Sequence, residues 1–496
     1  MTYEVVVVGG GIGGLTVAAL LAARGVSVCL LERESRVGGC AASFEKFGNS
    51  FEQGLGIYPL WQTGEIHDRI FNELPVEAPE TRSADPAYLV RLPDGSEVPF
   101  TTDLQQFEAV LTTTFSECAD QAIRFYRETA VLSDSLRRAF MRVPDLRTAS
   151  SLKQMHTLLR DVRMATRIMR SQRETVVEHL QGCSPRFRRF IDLQLQTLAQ
   201  AVSDECNYLY ASLVLSIPRQ GTFSIRGGTA ALAETLAASI KRSGGTTRLN
   251  TAVLRLSYDT TGAAIGVDLL SGETVNASRA IISNLTVWDT YGKLIGLKHI
   301  EPEVRNLLGR LRGWGVYLLY LAMKEAATHR LPAHRIFALT DWLDDQPYDP
   351  ETVQLTFAAA PEWDAGAPAG QRAVTVQTFT RADEWFTFQE NESDHEEKDQ
   401  RMLEECWRRL HSAIPELGAD IEVIDTATPR TFYEQTRRRF GLVGGVGQSQ
   451  GFLDPASISH RTSLPNVFIV GDTVFPGVGI AAVSHSALIV ANHLTS

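Results

Sequence analysis

The stretch Tyr3-Glu4-Val5-Val6-Val7-Val8-Gly9-Gly10-Gly11-Ile12-Gly13-Gly14 sets the architecture of the chain. Its apolar, β-branched first half predicts a buried parallel strand. Residues 15–23 are apolar and rich in helix formers, and Gly25 ends that helix. Residues 26–31 predict a second strand that closes on Glu32. Strand, helix and strand in this order predict a βαβ unit and therefore an α/β fold.

The glycines of this stretch have separate physical roles. Gly9 lets the chain turn sharply off the strand, Gly11 lets the backbone approach a pyrophosphate, and Gly14 lets the helix pack against the sheet. The pyrophosphate would lie on the helix N-terminus, where unpaired N–H groups and the helix dipole favour negative charge. Glu32 is predicted to accept hydrogen bonds from an adenosine ribose. The unit therefore predicts a dinucleotide site, although spacing alone does not separate FAD from NAD.

A second glycine pair extends this fingerprint. Arg36-Val37-Gly38-Gly39 follows Glu32 after three residues. The extended fingerprint resembles the glutathione-reductase-type FAD enzymes, in the branch that contains amine oxidases and phytoene desaturases, and so implies FAD. The cofactor-binding residues predicted in this part of the chain are Gly9, Gly11, Ile12, Gly13, Gly14, Glu32, Arg33, Gly38, Gly39 and Cys40.

The C-terminal segment carries the second signal. Residues 466–470 predict a strand that runs into Gly471-Asp472, and a helix is predicted from Ile480 to Leu494 after Gly479. Asp472 is placed to accept a hydrogen bond from a ribityl hydroxyl, and the helix N-terminus faces the flavin pyrimidine edge. The predicted cofactor-binding residues here are Gly471, Asp472, Gly479 and Ile480.

Read over nearly its full length, the chain resembles the phytoene desaturase family of FAD-dependent carotenoid enzymes, with most similarity to the carotenoid 3,4-desaturases and their isomerase relatives. The resemblance is carried by Gly38-Gly39-Cys40-Ala41, residues 64–71, Leu209-Tyr210-Ala211 and residues 444–448. It implies that Val253 contacts the adenine through its backbone. Where relatives typically have an aspartate this chain has Gln53, so no role is carried onto that residue.

Composition bounds the remaining possibilities. The chain has 496 residues, a length that predicts two or three domains. Its net charge of −10 argues against a general nucleic-acid binder. Its six cysteines are scattered without a Cys-x-x-Cys pair, and this predicts free thiols, with neither a disulfide frame nor a metal site. The first strand begins almost at Met1, so no signal peptide is expected. We expect a cytoplasmic protein without a transmembrane helix.

Residues 136–190 differ in character from the acidic remainder, with thirteen Arg or Lys against four Asp or Glu. At helical spacing, basic and apolar side chains fall on opposite faces. Such a helix is typical of peripheral membrane contact, and equally of a solvated basic face whose apolar stripe packs inside the protein. The two sets are Arg160, Arg163, Arg167 and Arg170, and Met155, Leu158, Val162, Ala165 and Met169.

These patterns predict a discontinuous FAD-binding domain of Rossmann type with two insertions. The FAD-binding domain would comprise residues 1–83, 217–290 and 436–496. An α+β substrate domain would comprise residues 84–103 and 291–435, and residues 104–216 would form a helical, membrane-facing subdomain.

The resemblance implies an oxidoreductase that removes hydrogens from a long apolar polyene or isoprenoid, by hydride transfer to flavin N5. A redox-neutral polyene cis–trans isomerase is the alternative enzyme, and a non-catalytic isoprenoid-binding escort is the alternative of another class. The electron acceptor, oxygen or quinone, stays open. No catalytic residue is assigned: His485 is explained as well by packing, and the sequence does not separate a catalytic from a structural role for Glu52.

Overall fold

A computed structural model of the chain describes residues 2–143, 162–342, 346–386, 392–446, 453 and 458–495. The strands are β1 Thr2–Val8, β2 Val28–Leu31, β3 Phe44–Lys46, β4 Asn49–Phe51, β5 Tyr58–Pro59, β6 Thr81–Ala84, β7 Leu89–Arg91, β8 Glu97–Pro99, β9 Thr222–Ile225, β10 Thr246–Arg248, β11 Val253–Tyr258, β12 Ala264–Leu269, β13 Thr274–Ser283, β14 Gly315–Lys324, β15 Arg335–Leu339, β16 Gln354–Ala359, β17 Gln371–Thr380, β18 Ile421–Ala427 and β19 Val467–Ile469.

The helices of eight residues or more in the same part of the chain complete the fold. They are α1 Ile12–Ala23, α2 Ile66–Glu73, α3 Leu104–Thr114, α4 Ala119–Arg142, α5 Val162–Arg170, α6 Pro185–Ala199, α7 Tyr208–Ser216, α8 Gly228–Arg242, α9 Pro302–Arg310, α10 Glu392–Ala413, α11 Pro429–Thr436 and α12 Ile480–Thr495.

The first sheet is built around the N-terminal strand, in the order β10-β2-β1-β13-β12-β11. β10, β2, β1 and β13 are parallel, and β19 joins the last three residues of β13, also in parallel. β1 is buried along Val5–Val8, as its continuous apolar run predicts. On one face α1 packs between α12 and α8, so the two ends of the chain meet in one core.

The second sheet has the order β18-β14-β17-β16-β15-β7-β8 and is antiparallel except where β15 meets β7. It joins strands from residues 84–103 with strands from residues 291–435, the two segments predicted for the substrate domain. α10 packs against this sheet through Cys406 and Leu410. Residues 104–143 and 162–216 are mainly helical, and α3, α4, α6 and α7 share one aromatic core.

Two sequence predictions need comment. The sequence predicts a single strand over residues 249–256, but residues 249–252 lie between β10 and β11, and only residues 253–256 belong to a strand, β11. β10 and β11 lie at opposite ends of the strand order. The chain turns between them because Asn250 adopts a left-handed conformation, with φ of +51°, and Thr251 N donates to Glu32 O at 2.8 Å. The second prediction is the amphipathic helix within residues 136–190. Its residues Met155, Leu158 and Arg160 lie outside the described residues.

The described part of that helix is α5. Arg167 donates to Ser135 Oγ of α4 at 3.1 Å, Ile168 is buried, and Met169 is 73% exposed. The membrane contact of residues 136–190 stays a prediction. Within the described residues, no helix combines the length and the apolar character that a membrane span requires.

Candidate functional site

A cavity of about 870 Å³ opens at the carboxyl edge of the parallel strands. β1, β2, β13 and β19 all end at this edge, because parallel strands present their carboxyl ends together. Of the predicted cofactor-binding residues, these line the cavity: Gly9, Gly11, Ile12, Gly13, Glu32, Arg33, Gly38, Gly39, Cys40, Val253, Gly471, Asp472, Gly479 and Ile480. The structure thus brings residues from both termini to one site.

Gly14 is the predicted residue that does not line this cavity. A Cβ on Gly14 would lie 2.1 Å from Gly9 O, so only glycine allows α1 to approach the end of β1 this closely. Gly9 itself has a φ of +98°, as the sharp turn requires. Gly11 is the N-cap of α1 and makes no side-chain capping bond. The first N–H groups of α1 are therefore available to an anion, which fits the pyrophosphate of a dinucleotide.

Glu32 fixes the shape of the glycine loop. Its Oε2 accepts from Gly10 N at 2.6 Å and its Oε1 accepts from Glu34 N at 2.8 Å. A carboxylate has about four lone-pair sites, so both oxygens still have capacity for ribose hydroxyls. Val253, at the start of β11, lines the cavity, and its backbone contact with an adenine stays a prediction. Arg33 donates to Gln435 O at 2.7 Å.

The second glycine pair lies directly on the first. Gly38 N donates to Gly10 O at 2.8 Å, with a φ of +120° at Gly38. A Cβ on Gly39 would lie 3.1 Å from the Cα of Gly11, so the two glycine segments are in van der Waals contact. Burial raises the pKa of the adjacent Cys40 thiol. Cys40 is therefore a neutral side chain in the cavity wall at neutral pH.

The C-terminal motif supplies the opposite wall. Gly471 N donates to Ser486 Oγ at 3.1 Å, which fixes the turn before α12. Asp472 Oδ2 accepts from Arg438 Nη2 at 2.7 Å. Burial lowers the pKa of Arg438, but the facing Asp472 carboxylate more than offsets this and holds the pKa above its ordinary value. Arg438 is therefore charged, and the bond from Asp472 to a ribityl hydroxyl stays a prediction.

Two residues that the sequence left unassigned also line the cavity. Glu52 Oε1 accepts from Thr229 N at 2.9 Å and from the Tyr58 hydroxyl. Burial raises the pKa of Glu52, and the Tyr58 hydrogen bond opposes that shift. His485 lies in α12 with its ring centroid 5.4 Å from that of Phe140, a packing contact.

Sequence reasoning missed several residues of the site. Asn284 follows β13, and a Cβ on Gly11 or Gly13 would lie 2.6 Å from its side chain, so it packs directly against the glycine loop. Its place after a buried strand was a usable signal. Arg438 gave none, because its partner Asp472 is 34 residues away in sequence. Gln200, in a left-handed conformation with φ of +54°, also lines the cavity.

Comparison with known proteins agrees with this geometry. Residues 12–495 match the family model described as flavin containing amine oxidoreductase. The chain is 23% identical to the chloroplastic prolycopene isomerase of Daucus carota over 503 residues, covering 100% of this chain and 80% of the relative. It is 25% identical to human all-trans-retinol 13,14-reductase over 513 residues, covering 95% and 82%.

Solved structures show the same fold. An oxidoreductase from Methanosarcina mazei superposes with a TM-score of 0.66 at 17% identity, covering 99% of this chain and all of that chain. Putrescine oxidase bound to putrescine superposes with a TM-score of 0.64 at 15% identity, covering 99% of both chains. With the glycine loop, Glu32 and the C-terminal turn gathered at one cavity, FAD is the cofactor that the residues fit. The chain belongs to the flavin-containing amine oxidoreductase family and is an FAD-dependent oxidoreductase.

Proposed function

We propose that this enzyme removes hydrogens from a long apolar polyene or isoprenoid. The observation that carries the proposal is the wall of the cavity beyond the dinucleotide cradle, which is mainly apolar. Its apolar side chains come from the segment between β4 and β5, from the helical segment and the residue that follows it, and from the second sheet: Leu55, Ile57, Phe140, Leu198, Leu213, Val214, Ile217, Val316 and Phe379. Each methylene buried against such a wall contributes about 0.8 kcal/mol to binding.

The chain's own residues bind and orient the reactants. The glycine loop, Glu32 and the N-termini of α1 and α12 hold the dinucleotide, and the apolar wall fixes a hydrocarbon against it while excluding water. FAD supplies the hydride acceptor when it is bound. An extended π system also stabilises charge that develops at an allylic carbon, so the protein need not supply a strong base.

The relatives support a polyene substrate. Prolycopene and all-trans-retinol, in the names of two relatives, are both isoprenoid polyenes. The isomerase relative also keeps the redox-neutral alternative in place, in which the same cavity holds a polyene whose double bond changes geometry without net oxidation. A non-catalytic escort is not proposed, because the family is one of oxidoreductases.

The deciding experiment is anaerobic incubation of the FAD-loaded enzyme with candidate polyenes, following flavin absorbance and product mass together. Desaturation predicts bleaching of the flavin and a product lighter by two hydrogens. An unchanged mass with altered double-bond geometry would support isomerisation instead. No bleaching and no product with any long polyene would refute the proposal. Adding oxygen or a quinone afterwards identifies the acceptor by the rate at which flavin absorbance returns.

An apolar substrate of this kind dissolves in bilayers, so we also propose peripheral membrane contact through residues 136–190. Met141 at the end of α4 is 50% exposed and Met169 in α5 is 73% exposed. We expect the wild-type enzyme to sediment with anionic vesicles. Most of the double variant Met141→Gln/Met169→Gln is expected to stay in the supernatant. Equal sedimentation of both proteins would contradict contact through these side chains.

A further inference from the structure

A second, smaller cavity of about 110 Å³ lies directly behind the large one. The two cavities share a wall formed by Glu52, Gly54, Leu55, Gly56 and Tyr58. One water needs roughly 10–15 Å³ of such space, so the small cavity has room for several. The shared wall separates an apolar reaction cavity from a compartment of different character.

The small cavity has a more polar lining than the large one. It is lined by the Arg335 guanidinium, the Ser224 hydroxyl and the Asp364 carboxylate. Arg335 Nη2 donates to Ser224 Oγ at 3.1 Å, and Asp364 Oδ2 accepts from Gly227 N at 2.5 Å. Asp364 is partly exposed at the surface, so the polar compartment extends from the shared wall towards solvent.

Glu52 is the titratable carboxyl in this wall. Besides its bonds from Thr229 N and Tyr58, it is tightly enclosed: a Cβ on Gly228 would lie 2.0 Å from its Oε1, and one on Gly56 would lie 2.7 Å from its Oε2. Burial raises its pKa, opposed by Tyr58, by Thr229 N at the start of α8 and by the charge of Arg335, while Asp364 adds to the rise.

The other carboxylates that line the large cavity, among the described residues, are committed elsewhere. Asp472 pairs with Arg438 at 2.7 Å, Asp289 with Lys293 at 2.7 Å and Glu34 with Arg33 at 2.5 Å. Glu32 is bonded to two backbone N–H groups. Within the part of the chain that the structure describes, Glu52 has no cation within ion-pair distance, unlike Asp472, Asp289 and Glu34. Of the five carboxylates, Glu52 is the one that lines both cavities.

We propose that Glu52 accepts the proton that leaves the substrate and passes it to the small polar cavity. The inference rests on the proposed function. In a desaturation, one hydrogen leaves carbon with both bonding electrons, and FAD, when bound, would supply the two-electron acceptor. At the neighbouring carbon the C–H bond breaks, its electron pair becomes the new π bond, and its proton bonds to the Glu52 carboxylate. The neutral carboxyl then releases that proton through the cavity of Arg335, Ser224 and Asp364.

The first test is Glu52→Gln, which keeps the volume and an oxygen acceptor for Thr229 N and Tyr58 but cannot hold a proton. The rate of flavin reduction by substrate in the wild type is expected to rise with pH, because the ionised carboxylate is the acceptor. The variant is expected to lose this dependence and to be slower by about 100-fold. Unchanged melting temperature and FAD binding would separate this effect from loss of a helix cap.

Tyr58→Phe and Glu45→Gln complete the series. The Tyr58 hydrogen bond lowers the pKa of Glu52, so its removal is expected to move the pH dependence to higher pH without abolishing it. Glu45 lies in β3, exposed and outside both cavities, and its substitution should leave rate and profile unchanged. Wild-type rate and profile in Glu52→Gln would overturn the proton-transfer role while leaving the polyene activity intact.

An infrared measurement tests the role without any substrate. In the FAD-loaded enzyme in D₂O, a protonated carboxyl band is expected to titrate above the ordinary range of a glutamate and to be missing from Glu52→Gln. If polyene turnover fails but this band is present, the proposed function is wrong and Glu52 still exchanges protons with solvent. If the two proteins give the same spectrum, Glu52 holds no exchangeable proton and the inference is wrong.

Discussion

The two ends of the large cavity are built by different means. At the cofactor end, glycines close in sequence form the wall, and an added methyl at Gly14 would lie 2.1 Å from a backbone oxygen. At the substrate end, the wall consists of aliphatic and aromatic side chains such as Leu198, Leu213 and Phe379, which come from three separate parts of the chain. The first end is fixed by backbone geometry, and the second by side-chain packing that tolerates exchange. Substitutions at the two ends should therefore fail in different ways.

The largest effect is expected for Gly14→Ala. The new Cβ meets backbone, which cannot move aside, so we expect a loss on the order of 3 kcal/mol in unfolding free energy, together with loss of bound flavin. Chemical denaturation and the flavin spectrum of the purified protein measure both. Gly309→Ala is the matched control, since Gly309 lies exposed in α9 with open space around it. A yellow, stable Gly14→Ala protein would show that the close approach is dispensable.

Arg438→Met tests the long-range part of the cofactor end. It leaves the Asp472 carboxylate without its partner in a largely buried site, at an expected cost of about 2–3 kcal/mol and with weaker FAD binding. Arg438→Met/Asp472→Asn should recover part of the loss, because removing both partners costs less than stranding one. FAD affinity and urea midpoints measure the two effects. If the double variant is no better than the single one, the ion pair is not the reason for the loss.

At the substrate end, Leu213→Gln is expected to leave FAD binding intact and to lower kcat/KM. A polar amide placed in the apolar wall is expected to weaken substrate binding by about 1–2 kcal/mol, which lowers kcat/KM roughly 10-fold. Steady-state kinetics with a polyene substrate measure this change. Leu270→Gln, at a position 73% exposed in the turn after β12, serves as control. Loss of flavin from Leu213→Gln would mean that the two ends are not separable in this way.

The effect that is smallest at neutral pH concerns the acid stability of the cofactor half, because it develops only as pH falls. His67 in α2 is buried against Trp61, and burial lowers its pKa from 6.5 to about 3. The unfolded chain therefore binds a proton that the folded protein does not, and stability falls by about 1.4 kcal/mol per pH unit as pH drops from 6.5 towards 3. His67→Phe should match the wild type at pH 7 and lack this particular loss. Melting temperatures across that pH range measure it, and exposed His329→Gln should follow the wild type.

The cofactor end could be predicted because its signals are local. One βαβ unit contains Gly9, Gly11, Gly14 and Glu32, and its geometry leaves few alternatives. At the C-terminus, Gly471 likewise follows a predicted strand of the same sheet. Residues 249–256 show where local signals fail. Their apolar pattern predicts one strand, but the left-handed turn at Asn250 and the bond from Thr251 N to Glu32 O keep residues 249–252 out of a strand, so that β11 begins only at Val253.

By itself, the sequence determined the Rossmann-type cofactor half and its anion-binding helix. Strand, turn and helix there follow from the spacing of the motif and from positions that only glycine can occupy. The tertiary structure alone placed Arg438 on Asp472, Asn284 beneath the glycine loop and Glu52 between two cavities. Those contacts join segments far apart in the chain. Their pairing depends on how two sheets and a helical layer pack together, and no local pattern of residues encodes it.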